Sequence, residues 1–292
     1  MSAVKVTKTT DIKQQTEDFM RKIGGSAIGA IMGVNPWQSR MEIYAVLSGL
    51  MPGPEENEAM FMGKILEPVV ARLYQEKTGN RVRRVNYLLQ HPDYDFATAN
   101  IDREIYGTPD GNGILEVKTA SEYQDSEWRN GNIPPHYMCQ LQWYLWITGY
   151  KWGSFAALVG GNKFYTYRVE RDEALIDLMV GEAYRFWHEH ILRGVPPQPD
   201  ASDSCKKALD AMYPTPEPLK MAELPDMAFE WIQSYQEAGQ IEKEAKAHKD
   251  DAANKLRAVL GDAEVGVWNG QEVVTWKASK NGNRLLKVKG VK

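Results

Sequence analysis

The sequence predicts an α/β fold with helices on both sides of a central mixed sheet, followed by a smaller C-terminal appendage. Segments with the period of strands and segments with the period of helices follow one another along the first two-thirds of the chain. Two turn-forming stretches, TPDGNG and GGN, join neighbouring predicted strands. A proline-rich segment then separates this region from a long charged helix.

The predicted core elements begin with a helix that follows Ser26 and carries AIGAIM. A second helix covers roughly Glu58 to Thr78, with Pro68 starting or kinking it. The next elements are three strands (RVNYLLQ, IDREIYG and ILEVKT), a helix opened by Pro134-Pro135 that carries MCQLQWYLWIT, two strands (SFAALVG and FYTYRVE), and an amphipathic helix, RDEALIDLMVGEAYRFWHEHIL.

Three regions are predicted along the chain: a core over 1–194, a connector over 195–225 and an appendage over 226–292. Seven of the fifteen prolines lie in the connector, and because proline interrupts helices and ladders we expect this stretch to be extended. The appendage begins with a charged helix that ends at Gly261. A β-hairpin follows, with Asn269-Gly270 suited to a type I′ turn.

Composition excludes several classes of protein. The 292 residues suffice for one large domain with an appendage, and no apolar run is long enough to span a bilayer. The two cysteines, Cys139 and Cys205, are too few for a disulfide framework, a four-cysteine zinc site or an iron–sulfur cluster. The N-terminal residues lack the apolar stretch of a secretory signal, so we expect a cytoplasmic protein.

The formal net charge of -4 does not indicate nucleic-acid binding, but basic residues are unevenly distributed. Six of them and no acidic residue lie between Lys277 and Lys292, and Arg81, Arg83 and Arg84 form a second group. A solvated surface and a frayed tail explain such clusters as a rule. The alternative is that the C-terminal group contacts a DNA backbone.

The strand ILEVKT contains the residues most suggestive of chemistry. Side chains alternate along a strand, so Glu116 and Lys118 share one face. On an edge strand the two would form an exposed ion pair. The flanking residues are apolar and a hairpin precedes the strand, which predicts a central position where burying unpaired charges is costly.

The hairpin that turns at TPDGNG brings Asp102, at the start of one strand, near Glu116 on the other. Two such carboxylates could share a hard cation that keeps some of its waters. Lys118 could orient or help to deprotonate an attacking water. Asp, Glu and Lys in this arrangement suit metal-assisted hydrolysis of a phosphodiester.

Asp102 followed fourteen residues later by EVK resembles the PD-(D/E)xK nuclease superfamily. This motif alone is weak, but four further segments strengthen it. RKIGGSAIGAIMG, GKILEPVVARLY, GNGILEVKTA and YMCQLQWYLWITG stand in the order seen in the YqaJ family of viral recombinases, which are lambda-exonuclease-like nucleases. The resemblance covers roughly Arg21 to His190 and implies a restriction-endonuclease-like core.

The resemblance implies a role for each matching residue. Asp102, Glu116 and the carbonyl of Val117 match the metal ligands, and Glu67 matches the helical glutamate that supports a metal or its water. Lys118 matches the catalytic lysine and Gln140 the glutamine that positions it. Tyr137 lies one helical turn before Gln140 on the same face. Arg21 and Ser26 match residues that hold a terminal 5′-phosphate, consistent with the phosphate affinity of arginine forks and helix N-termini.

The sequence also contains Pro109-Asp110-Gly111, which has the spelling of the family's metal aspartate. Asp110 precedes Glu116 by only six residues, which leaves room for a turn but not for two strands. We therefore assign Asp110 to the turn and Asp102 to the metal, with IDR in place of PDG.

The function expected from the resemblance is a Mg²⁺-dependent exonuclease, with Mn²⁺ as a substitute and one or two ions. It would digest the 5′ strand of duplex DNA ends and leave 3′ single strands for recombination. An endonuclease on the same fold and a catalytically silent DNA-binding recombination protein are the alternatives. The resemblance also implies a homo-oligomer, a trimer in some members, and a single-strand annealing protein as a possible partner.

Overall fold

The computed structural model describes residues 4–8 and 21–290, and it divides the chain into two compact units, 1–216 and 217–292. The strands of the first unit are β1 (Val4–Lys8), β2 (Arg81–Arg84), β3 (Tyr87–Gln90), β4 (Thr98–Ala99), β5 (Arg103–Tyr106), β6 (Gly113–Ala120), β7 (Trp152–Val159) and β8 (Lys163–Glu170). Its helices are α1 (Gly25–Ile31), α2 (Arg40–Leu47), α3 (Glu58–Thr78), the single turn α4 (Asp125–Trp128), α5 (Pro135–Thr148), α6 (Glu173–Arg185) and α7 (Asp203–Met212).

The central sheet has five strands in the order β2-β5-β6-β7-β8. Only β6 and β7 run parallel; the other neighbours are antiparallel. A second sheet of three strands has the order β1-β3-β4. The predicted central position of the ILEVKT strand is thereby confirmed, since β6 has two sheet neighbours on one side and two on the other.

Helices cover both faces of the central sheet, as predicted. Val70 and Tyr74 of α3 pack with Leu115 of β6 on one face. On the other face, Ile114 and Phe155 join the larger core that includes residues of α1, α5 and α6. Because side chains alternate along β6, Glu116 and Lys118 point to the same side as Ile114, toward α5.

Two predictions of secondary structure were wrong. The segment RVNYLLQ is not one strand: Arg84 ends β2 in the central sheet, whereas Tyr87–Gln90 forms β3 in the second sheet. The connector is not extended throughout, because it contains α7. The prolines lie only on either side of α7, and Ser202 caps it by accepting a hydrogen bond from the backbone of Cys205.

The second unit contains α8 (Ala228–Leu260) and a three-stranded sheet of β9 (Val265–Trp268), β10 (Gln271–Ala278) and β11 (Arg284–Val288). The predicted helix and hairpin are present, and Asn269 and Gly270 both have the positive φ of a type I′ turn. The basic C-terminal segment is not a frayed tail where the structure describes it. Arg284 lies on β11, over the ring of Trp276, and Lys292 falls outside the described residues.

Among the described residues, no helix combines the length and the apolar character that a bilayer span requires.

Candidate active site

The β5–β6 hairpin brings Asp102 and Glu116 together. Asp102 immediately precedes β5, and Arg103 is paired with Leu115 in the ladder. The backbone N–H of Val117 donates a hydrogen bond to Oδ2 of Asp102 over 2.9 Å. Both carboxylates line one cleft with a volume of about 840 Å³.

Lys118 is held from three directions. Its Nζ donates to Oε1 of Glu116 over 2.8 Å and to Oε1 of Gln140 over 2.9 Å. The same nitrogen lies 4.4 Å from the centre of the Tyr137 ring, within the range of a cation–π interaction. Gln140 and Tyr137 reach it from one face of α5, because residues three apart on a helix are neighbours.

A second layer of contacts orients Gln140. Its Nε2 donates to the hydroxyl of Tyr144 over 3.0 Å, one turn farther along α5. Tyr144 in turn needs the absence of a side chain at Gly25, where a Cβ would lie 2.3 Å from the ring. The sequence interpretation missed both residues; the only signal was the four-residue spacing of Tyr144 from Gln140.

Burial raises the pKa values of the two carboxyl groups. Desolvation, followed by the charge of Glu116, raises the pKa of Asp102 from 3.8 to about 8. Desolvation likewise raises the pKa of Glu116, which is only 2% exposed. Burial alone would lower the pKa of Lys118, but the charges of Glu116 and Asp102 outweigh it and leave that pKa above its usual value. The ammonium is therefore charged at neutral pH.

Glu67 lies on α3 at the wall of the cleft but points its carboxylate at Arg103, with which it forms an ion pair. The guanidinium of Arg103 also donates to the carbonyl oxygen of Asp102 over 2.7 Å. Its side chain is only 10% exposed, so Arg103 is part of the site although the sequence interpretation did not include it. The available signal was its position directly after Asp102, where the family spelling PDG has glycine.

The donor set fits a hard cation. Oε2 of Glu116 is buried and has no hydrogen-bond partner among the described residues, which is costly for a carboxylate oxygen. Across the described part of the chain, no three Asp, Glu, His or Cys side chains converge as a set of ligands for a metal ion. Mg²⁺ does not need such a set, because it commonly uses one or two carboxylates and completes its shell with waters and substrate phosphates.

Of the two residues expected to hold a terminal phosphate, Ser26 on α1 lines the cleft beside Asp102 and Lys118. Arg21 is not among the residues that line it. Its guanidinium lies against Gly49, so close that a Cβ there would be 3.0 Å from Nη2.

Asp110 lies in the turn between β5 and β6, where we expected it. Its carboxylate pairs with Arg168 of β8 over 2.7 Å and is 57% exposed. It is absent from the lining of the cleft that contains Glu116 and Lys118, whereas Asp102 is present.

Comparison with known proteins agrees with the resemblance. The model of the YqaJ-like viral recombinase domain matches residues 13–151. The alkaline exonuclease LHK-Exo from Laribacter hongkongensis aligns with a TM-score of 0.51 and 28% identity, over 60% of this chain and 92% of that protein. The structure of LHK-Exo in complex with dAMP aligns with a TM-score of 0.51 and 25% identity, over 61% and 91% of the two chains.

The uncharacterized protein YqaJ of Bacillus subtilis (strain 168) is 35% identical over 258 residues, which span 87% of this chain and 80% of that protein. Identity of this extent reaches well beyond the catalytic motif and includes much of the C-terminal region. The chain belongs to the family of proteins with a YqaJ-like viral recombinase domain.

Proposed function

We propose that the protein is a metal-dependent exonuclease that resects the 5′ strand of duplex DNA ends and leaves 3′ single strands for recombination. The observation that carries the proposal is the buried Glu116–Lys118 pair beside Asp102 in an open cleft. A buried cluster with strongly shifted pKa values in a cleft is typical of an active site. The similarity to the alkaline exonuclease LHK-Exo supports the same conclusion.

Asp102 and Glu116 would hold Mg²⁺, with Mn²⁺ as a substitute, and the carbonyl of Val117 is the further ligand that the resemblance implies. Glu67, now paired with Arg103, would support the ion or its water. When bound, such an ion supplies Lewis acidity that makes water nucleophilic at neutral pH and neutralises charge on the phosphate. One or two ions are compatible with these ligands.

Lys118 acts as a cation in this proposal. Its raised pKa makes the ammonium a poor proton acceptor, so we assign it to orienting the attacking water and stabilising the negative phosphate. Gln140 and Tyr137 keep its Nζ in place. A fixed donor of this kind costs no reorganisation when charge develops in the transition state.

The 5′ polarity rests on Ser26 and Arg21. The hydroxyl of Ser26 lines the cleft at the start of α1, where backbone N–H groups also favour an anion. Arg21 lies in the segment that leads into this helix, and the resemblance implies that it supplies the guanidinium of the phosphate site, although in this structure that group lies against Gly49.

The resemblance also leads us to propose a homo-oligomer, a trimer as in some relatives, and a single-strand annealing protein as a partner. A surface that could serve the first of these lies on α3. Phe61, Ile65 and Val69 are spaced four residues apart and are 51%, 54% and 51% exposed. Light scattering of the purified protein measures the number of copies, and a monomer at working concentration would contradict the trimer.

The test of function is digestion of linear duplexes with labelled ends, 5′-phosphorylated or not, in Mg²⁺ or a chelator. We expect release of mononucleotides from the phosphorylated 5′ strand in Mg²⁺ only. Cutting of covalently closed circles in a parallel reaction would establish the endonuclease instead. If no divalent metal supported cleavage, the result would favour the remaining alternative, a catalytically silent DNA-binding recombination protein.

We also propose that the basic C-terminal residues contact the DNA backbone. Replacing Lys277, Lys280 and Lys287 by alanine should flatten the dependence of binding on salt, by roughly 0.9 in log–log slope for each lost phosphate contact. An unchanged slope would contradict this contact.

A further inference from the structure

The catalytic cleft does not end at Ser26. A second cleft of about 780 Å³ adjoins it, and the two share part of their walls. The shared residues are Gly24, Ser26, Trp37, Asn57, Met60 and Thr98. A chain that enters the catalytic cleft and passes Ser26 would therefore continue into the second cleft.

The far wall of the second cleft comes from α2 and α7. Ile43 and Val46 of α2 give it an apolar side, and Lys207 of α7 gives it a positive charge. Lys22 also lines this cleft, where its Nζ donates to Oε1 of Gln90 over 2.9 Å. The match to the family domain ends at residue 151, so α7 extends the site with residues that lie outside that domain.

The lining of this cleft also carries two carboxylates, those of Glu42 and Asp203, so its attraction for a single strand would come from local contacts and not from a net positive charge. Oε1 of Glu42 accepts a hydrogen bond from Gln38 over 3.0 Å, and its Oε2 accepts one from the Ser204 hydroxyl. Asp203 lies in the first turn of α7, where its negative charge interacts favourably with the helix dipole. Sites for single-stranded nucleic acid combine lysines with aromatic rings on which bases stack. In this cleft the aromatic ring is that of Trp37, which is 56% exposed.

The second cleft is large enough to hold a ligand bigger than a terminal phosphate. Its volume lies in the range of about 300–1,000 Å³ that buries a drug-sized ligand, which is far larger than one phosphate group. Apolar side chains in the wall make no favourable contact with a phosphate alone, whereas the flat faces of bases can pack against them.

We propose that the second cleft binds the first nucleotides of a 5′ single-stranded extension, so that the protein accepts 5′-tailed ends as well as blunt ends. This inference rests on the proposed exonuclease function. The tail lies past Ser26, with its backbone near Lys207 and its bases against Trp37 and α2. The scissile bond remains at Asp102 and Glu116, so the first cut on a tailed end would release the tail as an oligonucleotide, and release of mononucleotides would follow once a terminal phosphate lies at Ser26.

The test compares duplexes of one sequence with blunt ends or with 5′ tails of two or four nucleotides. The wild type should digest all three in Mg²⁺ at similar rates. Lys207→Glu should raise KM for the tailed duplexes by about tenfold, because it replaces a phosphate contact by a repulsion, and should leave the blunt duplex unchanged. Lys206→Glu is the matched control: this exposed neighbour on α7 is outside the cleft lining, and all three duplexes should behave as with wild type.

Binding measured by anisotropy in a chelator gives a second readout that does not need turnover. The wild type should bind the four-nucleotide tail more tightly than the blunt end, and Lys207→Glu should remove the difference. A wild type that digests blunt ends but stalls on tails, or a Lys207→Glu variant that matches wild type on tails, would overturn the inference. Failure of the wild type on blunt phosphorylated ends would instead contradict the proposed function.

Discussion

Two buried carboxylate clusters in the first unit have similar ingredients and opposite electrostatics. Asp125, which is 5% exposed, is surrounded by donors: Arg129 binds it, Lys163 approaches to 3.0 Å and the Tyr165 hydroxyl donates over 2.7 Å. The hydrogen bond from Arg129 is the largest of the effects that lower its pKa. In the cleft, Asp102 and Glu116 share one ammonium, that of Lys118, and burial raises the pKa of each.

The difference is the one expected between a structural cluster and a functional one. The negative charge of Asp125 is compensated by the neighbouring cations Arg129 and Lys163. Its contacts with Lys163 and Tyr165 also connect α4 to β8. The cleft cluster lacks positive charge, and one oxygen of Glu116 is left without a partner among the described residues. A divalent cation would correct that imbalance, which is a physical reason to expect one there.

Among the variants that compare the two clusters, the largest expected effect comes from removing the lysine of each cluster, Lys118 in the cleft and Lys163 beside Asp125. Lys118→Ala should lower the rate of cleavage by about 10²–10⁴-fold, because it removes a fixed cation from the reacting phosphate while the DNA-binding surface remains. Lys163→Ala, which breaks the corresponding pair at Asp125, should cleave at nearly the wild-type rate. Single-turnover digestion with equal binding measured separately makes the comparison. Equal losses in the two variants would remove the distinction between the clusters.

The second effect is stabilisation by metal. Mg²⁺ at about 100 times its Kd should add roughly 2.7 kcal/mol to the free energy of unfolding. Glu116→Gln should abolish this increment, whereas Asp125→Asn should lower the stability of the metal-free protein and keep the increment. Thermal unfolding with and without Mg²⁺ measures both. If the stabilisation by Mg²⁺ persisted in Glu116→Gln and disappeared in Asp125→Asn, the ion would bind at Asp125 and not at Glu116, which would contradict the proposed metal site.

The third effect is the pH dependence of metal binding. Protonation of Asp102 stabilises the metal-free fold: this contribution is complete below the ordinary pKa of 3.8 and is lost as the pH rises through about 8. Binding an ion must displace that proton, so the apparent affinity should rise about tenfold per pH unit up to roughly pH 8 and then level off. Calorimetric titration with Mg²⁺ from pH 6 to pH 9 measures the slope. A flat profile would show that Asp102 is already ionised.

The smallest effect tests the layer behind Lys118. Gly25→Ala should push the Tyr144 ring away, loosen Gln140 and lower the cleavage rate, with a loss of stability of about 1–3 kcal/mol from overpacking. Gly24→Ala is the matched control, because its Cβ would meet only Thr98 at an ordinary 3.8 Å. If the two variants have the same activity, Tyr144 does not position Gln140.

Local patterns were enough to predict how several residues of the candidate site are arranged. Strand alternation put Glu116 and Lys118 on one face, hairpin length distinguished Asp102 from Asp110, and helical spacing put Tyr137 and Gln140 side by side. These inferences work because the residues belong to one element or to two strands joined by a short turn. The α/β core with its flanking helices followed from the same periodicities.

Contacts between distant segments could not be predicted in this way. The ion pair of Glu67 with Arg103 joins α3 to β5, and Tyr144 depends on a missing side chain at Gly25, more than a hundred residues earlier. The helix α7 was missed because the prolines around it dominated the local composition. Its packing against α2, through Ser204 and Glu42, supplies stability that local propensity does not show.

The most direct test of the account is the cleavage rate of two aspartate variants on a 5′-phosphorylated linear duplex in Mg²⁺. Asp102→Asn should be inactive, because it removes a carboxylate from the charge-deficient cluster. Asp110→Asn should retain wild-type activity, because its carboxylate only pairs with Arg168 at an exposed turn. An active Asp102→Asn together with an inactive Asp110→Asn would contradict the assignment of the active site.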